Sequence, residues 1–141
     1  MKDKQEMLSD FLELQIEFEE YKTKYAFEKA FLNSAFYYVR FEDRITPWNY
    51  LEALGMIDKH HTEVDTLVGS MGYVQAACTN KIEREVSKVK DIKFKEELTK
   101  KYTDLYNEVS KYFKESKKFT DEATEVLRLL KKKGEEYESK K

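Results

Sequence analysis

The sequence predicts an all-α fold, an elongated up-down-up bundle of three long helices, and three observations carry that prediction. The 141 residues contain only 4 Gly and 1 Pro, so the residues that break helices and make turns are nearly missing. Apolar residues recur at alternating three- and four-residue steps over most of the chain, the spacing that keeps one face of a helix against its neighbours. Charged residues make up 38% of the chain, yet it carries 9 Phe, 10 Tyr and a Trp, far more aromatic surface than a disordered polyampholyte holds. A chain of this length buries a sufficient core without disulfides or a structural metal and reads as a single domain over 1–133.

The first helix is predicted over about 4–44. Its seam is Met7, Phe11, Leu14, Phe18, Tyr21, Tyr25, Leu32, Ala35 and Val39, with one polar miss at Glu28. A second apolar set, Leu12, Phe27, Phe31 and Phe36, is expected to widen this stripe so that the helix packs on two neighbours. The only proline follows Thr46, whose hydroxyl suits an N-cap, and Pro47 suits a first helical turn, where a missing N–H costs nothing.

The second helix is predicted over 47–90, with Leu54, Ile57, His61, Val64, Val68, Met71, Cys78, Ile82 and Val89 on its seam. Gln75 interrupts that seam, and Gly69-Ser70-Met71-Gly72 marks a kink or a close-packing site. Its end is placed at Asp91, where the heptad phase breaks between Val89 and Phe94. Thr79-Asn80 is the competing site, because Asn80 and Glu83 have capping-box spacing. The third helix spans 92–133 through Leu98, Tyr102, Leu105, Val109, Tyr112, Phe119, Ala123, Val126 and Leu130. Thr120-Asp121-Glu122 is a potential break near 119–121, and Gly134 is the expected end, leaving 134–141 as a frayed charged tail.

Charge and cysteine content narrow the function classes. Lys+Arg (26) and Asp+Glu (28) nearly cancel, so no global field attracts a polyanion, and nucleic acid is not an expected partner. The longest apolar run, Ala35 to Val39, is too short to span a bilayer, the first residues contain no apolar signal segment, and one cysteine forms no internal disulfide. These features point to the cytoplasm.

The hairpin between the first two helices carries the densest set of candidate contact residues. Phe36, Tyr37, Tyr38 and Val39 are consecutive on a helix and therefore point in all directions around it. Either the end of the third helix covers them through Val126, Leu127, Leu129 and Leu130, or a partner does. Tyr37, Tyr38, Arg40, Phe41, Arg44, Trp48 and Tyr50 are the predicted partner-binding residues, since Trp, Tyr and Arg tend to carry binding energy at interfaces. The expected function is a non-enzymatic protein-interaction module, an adaptor, assembly subunit or inhibitor, with a homodimer among the expected states.

The alternatives rest on less. Asp58, His60 and His61 offer the start of a metal site or an enzymatic bundle, but a di-iron bundle needs its carboxylate–histidine pair twice and there is no third histidine. No nucleotide-binding, nucleophile-elbow or zinc-protease motif occurs, and Cys78 lies about 25 Å from His61 along a continuous helix. No cofactor is expected. A peripheral membrane protein built as a curved three-helix dimer is the other alternative, although the lysines alternate with glutamates instead of forming one basic patch.

Overall fold

In the computed structural model, which describes residues 2–42 and 49–139 with backbone alone at 41 and 42, the regular elements are helical and no strand occurs among the described residues. Helix α1 spans Lys4–Tyr37 and passes into a π-turn over Tyr38–Glu42. Helix α2 spans Tyr50–Arg84, a 3-10 turn covers Val86–Lys88, and α3 spans Ile92–Ser139. The expected cap at Thr46 and Pro47 lies outside the described residues.

Asp91 divides α2 from α3 as its sequence position implies. Its Oδ1 accepts the Phe94 N–H at 3.2 Å, which satisfies one of the amides that a helix start leaves without an intrahelical partner. The competing site at Thr79-Asn80 lies inside α2. Before Asp91 the chain tightens: the Lys88 and Val89 N–H groups bond to the Glu85 and Val86 carbonyls, and Val86 is buried in the turn.

Four expectations about helix ends and breaks shift, the first being the end of the second helix, which stops at Arg84 instead of 90 because the chain tightens into the 3-10 turn. The regular α-conformation of the first helix stops at Tyr37, because the chain from Tyr38 widens into the π-turn. Helix α3 is unbroken at 119–121, since the Thr120 hydroxyl donates back to the Ser116 carbonyl at 3.1 Å instead of capping a new helix. Helix α3 also runs through Gly134 to Ser139. Gly134 is not a stop signal there: it is buried, and a Cβ at that position would stand 2.5 Å from Cε2 of the Tyr50 ring. The glycine makes room for an aromatic ring, and Tyr137 one turn on packs against the same ring at 5.7 Å between centroids. At Gly72 a Cβ would meet only the Phe113 ring, at an ordinary 3.5 Å, so packing does not require glycine there, and α2 is continuous through it.

The chain divides into two compact units, each assembled from a segment of all three helices. The first holds Met1–Thr23 and Leu67–Lys114, the second Lys24–Thr66 and Glu115–Lys141. In the first unit α1 and α3 run parallel, as shown by ion pairs with nearly constant sequence separation: Lys4 with Asp91 and Lys22 with Glu108 are 87 and 86 positions apart. Its core contains Phe11, Phe18, Met71, Val74, Cys78, Leu98, Tyr102 and Val109. Phe11 meets Tyr102 edge-on at 5.1 Å, and Phe18 meets Tyr112 edge-on at 5.7 Å, arrangements that suit the aromatic quadrupole. Gln75, the polar residue on the α2 seam, is satisfied inside this unit, its amide donating to Ser110 Oγ at 2.7 Å and to the Tyr106 carbonyl at 3.2 Å.

A four-residue charge cluster ties the α1 segment of the first unit to the end of α2. Lys2 lies 2.6 Å from Asp10 and 3.2 Å from Glu85, and Lys81 reaches the same two carboxylates at 3.4 and 2.9 Å. The hydrogen bond from Lys2 holds the Asp10 carboxyl below its ordinary value, and that from Lys81 does the same for Glu85. A carboxylate with a depressed folded-state pKa adds stability above its unfolded pKa and loses it as pH falls through the folded value. The contribution is therefore present at neutral pH and disappears below the ordinary values of 3.8 and 4.5. In thermal melts, Asp10→Asn/Glu85→Gln should melt below the parent at pH 7, and the gap should close as pH falls from 5 towards 2.5. A gap independent of pH would refute the linkage.

The core of the second unit contains Tyr25, Leu32, Phe36 and Val39 from α1 and its π-turn, Ile57 and Val64 from α2, and Phe119, Ala123, Val126 and Leu130 from α3. Tyr25 and Phe119 meet edge-on at 6.3 Å. Arg40 reaches across to Glu122 at 3.6 Å and Glu125 at 3.1 Å, and Lys29 pairs with Glu115. No described helix is long and apolar enough to cross a membrane.

Candidate functional site

The four consecutive apolar residues at the end of α1 divide evenly between inside and outside. Phe36 and Val39 are buried, whereas Tyr37 and Tyr38 are 51% and 41% exposed, their rings edge-on to each other at 6.2 Å. The other predicted contact residues have different places. Arg40 is half-buried in its ion pairs with α3, and Tyr50 is half-buried over Gly134 and against Tyr137. Both are therefore engaged by α3 of their own unit. Arg44 and Trp48 lie outside the described residues, as does the side chain of Phe41.

Tyr37 and Tyr38 belong to a larger surface that the hairpin reading did not include. Between residues 25 and 39 the exposed side chains are Ala26, Phe27, Ala30, Asn33, Ser34, Tyr37 and Tyr38, and none carries a charge. Phe27 is 73% exposed. The charged residues of the same stretch are engaged by the other helices: Glu28 contacts His60, and Lys29, its side chain 42% exposed, pairs with Glu115. Phe27, Ala30, Ser34 and Tyr37 are separated by three, four and three residues and so line one side of the helix. From Phe27 to Tyr38 this side is about 16 Å long at 1.5 Å per residue. The first unit treats its exposed apolar residues on α1 differently. Leu12 and Ile16 stand among exposed Glu13, Glu17, Glu19 and Glu20.

Leu12 and Phe27 therefore do not widen the buried stripe as expected. Phe27 follows the buried Tyr25 by two positions, about 200° around a helix, which turns it away from the core. That offset was readable from the sequence. Of the same set, Phe36 is buried, and Phe31 is half-buried with its ring 3.9 Å from that of His60 between centroids.

The histidines do not form a common site with Asp58. His60 Nδ1 lies 2.5 Å from Glu28 Oε2, so the one polar miss in the α1 seam is the partner of this ring. His61 Nε2 lies 3.2 Å from Thr120 Oγ1 and 3.6 Å from Asp65 Oδ2. Asp58 is exposed, and its backbone carbonyl accepts the Thr62 hydroxyl. Both rings are half-buried and each has its own partners. Among the described residues no three His, Cys, Asp or Glu side chains are grouped to hold a metal ion. Cys78 is buried, which pushes its thiol up to about 11 and keeps it protonated and unreactive at neutral pH.

Compared with known proteins, the chain matches no protein-family model, no curated protein and no solved structure.

Proposed function

We propose that this chain is a protein-interaction module that binds a partner helix along the outward side of α1, with Phe27, Tyr37 and Tyr38 as anchors. The observation that carries the reading is the uncharged face of Ala26, Phe27, Ala30, Asn33, Ser34, Tyr37 and Tyr38 in a chain of which 38% is charged. A solvated helix face in such a chain would be expected to carry lysine and glutamate, as the outward side of α1 does near Leu12 and Ile16. Large aromatic side chains bury much area for few rotatable bonds, which makes them efficient anchors. The small residues between them, Ala30 and Ser34, would let a second helix approach closely, with its own side chains seated in the gaps. Arg40 and Tyr50 are assigned a different task, holding α3 within the second unit.

The test compares two variants in affinity capture from the native source, with light scattering of the purified protein alongside. Phe27→Asp/Tyr38→Asp should lose the bound partner by at least tenfold, because each carboxylate would be desolvated in an apolar contact. Arg40→Ala should keep the partner while melting at a lower temperature. If the partner is a second copy, the same pair of variants should separate dimer from monomer. A partner, or a dimer, that survives the double substitution unchanged would rule this face out.

A further inference from the structure

A cleft of about 790 Å³ opens where the start of α1, the α2–α3 turn and the start of α3 meet in the first unit. We propose that it binds an anionic amphiphile, the acid head held by Arg84, Lys88 and Lys90 and the apolar chain laid on Met7, Val89 and Phe94. Its volume lies within the roughly 300–1,000 Å³ typical of small-molecule sites. Met7 and Phe94 are buried and Val89 is half-buried, so the floor is apolar, while the three cations are exposed around it.

The charge inventory of the lining indicates the sign of the ligand. Lys2 is taken by Asp10 and Glu85, and Lys4 lies 2.5 Å from Asp91. Asp3 and Asp91 are also used as helix caps, accepting the Glu6 and Phe94 N–H groups at 2.8 and 3.2 Å. Once those pairs are set aside, Arg84, Lys88 and Lys90 have no ion-pair partner among the described residues, against two lining acids without one, Glu6 and the capping Asp3. The excess is cationic. Asp3 and Asp91 already place a carboxylate at each of the two helix starts, so the acid head is assigned to the exposed side chains, with its apolar chain along the cleft floor.

Decanoate is the probe, titrated into the full chain by calorimetry with amide shifts read by NMR. Saturable binding is expected, with the largest shifts at Met7, Val89 and Phe94. Decyltrimethylammonium, of equal chain length and opposite charge, should bind at least tenfold more weakly. Octanoate should also be weaker, by about two- to fourfold for each missing methylene. Lys88→Glu/Lys90→Glu changes two exposed side chains and, with unchanged circular dichroism, should weaken decanoate about tenfold or more. The proposal is overturned by equal affinity for the cationic amphiphile, by an unchanged affinity in the double variant, by shifts centred elsewhere, or by no saturable binding at millimolar decanoate.

Discussion

Replacing Phe18 by alanine is expected to destabilise the chain by about 3–5 kcal/mol, the usual cost of emptying a buried aromatic site. Phe18 is 0% exposed and meets Tyr112 edge-on at 5.7 Å. The Lys22 ammonium also lies 5.4 Å from its ring centroid, one turn along α1. The substitution therefore removes apolar burial and both ring contacts, and it leaves a void between segments of two different helices. Phe18→Leu keeps most of the volume and should cost far less. Phe27→Ala, on the same helix but facing solvent, should stay within about 0.5 kcal/mol of the parent. Urea denaturation of the three variants measures the order, and a large loss at Phe27 with a small one at Phe18 would reverse the assignment of the two helix sides.

Gly134→Ala should destabilise by about 1–3 kcal/mol, the usual range for overpacking. The same exchange inside an exposed helix would stabilise by about 1 kcal/mol, because alanine loses less backbone freedom than glycine. The sign inverts because the added Cβ would meet three Tyr50 ring atoms at 2.5, 3.0 and 3.1 Å. Tyr50 is also packed on Tyr137, so the ring has contacts to lose if it moves. In a Tyr50→Ala background the obstacle is gone, and Gly134→Ala should become stabilising. A double-mutant cycle reads this directly as a change of sign. If Gly134→Ala stabilises in both backgrounds, the Tyr50 ring does not pack on Gly134 in solution.

The number of helices, their main seams and the Asp91 boundary were legible in the sequence because each rests on local chemistry: period, phase and a capping carboxylate. What escaped were residues whose meaning depends on another segment. Gly134 reads as a helix end until Tyr50, far away in sequence, is found over it. Thr120 reads as a cap until its hydroxyl is seen bonded to the Ser116 carbonyl and 3.2 Å from His61 Nε2. Glu28 is a defect in the α1 pattern until His60 is placed 2.5 Å from it.

The candidate surface was half legible. Four apolar residues in a row must leave some outside, and Tyr37 and Tyr38 are outside. Arg40 and Tyr50 are residue types that suit an interface and an intrachain contact equally well, and both make intrachain contacts. Phe27 was readable from its offset against Tyr25, yet aromatic character alone assigned it to the core. The uncharged face emerges only when exposure and charge are considered together, because the acidic and basic residues of this stretch are drawn towards α2 and α3.

The most direct measurement places a photo-crosslinking amino acid at Phe27 and, as a control, at the exposed Lys117 of α3, and irradiates the protein in its native cells. The proposed function predicts a discrete adduct from position 27, either with a second copy or with one other protein, and none from position 117. No adduct at 27, or equal adducts at both positions, would contradict it.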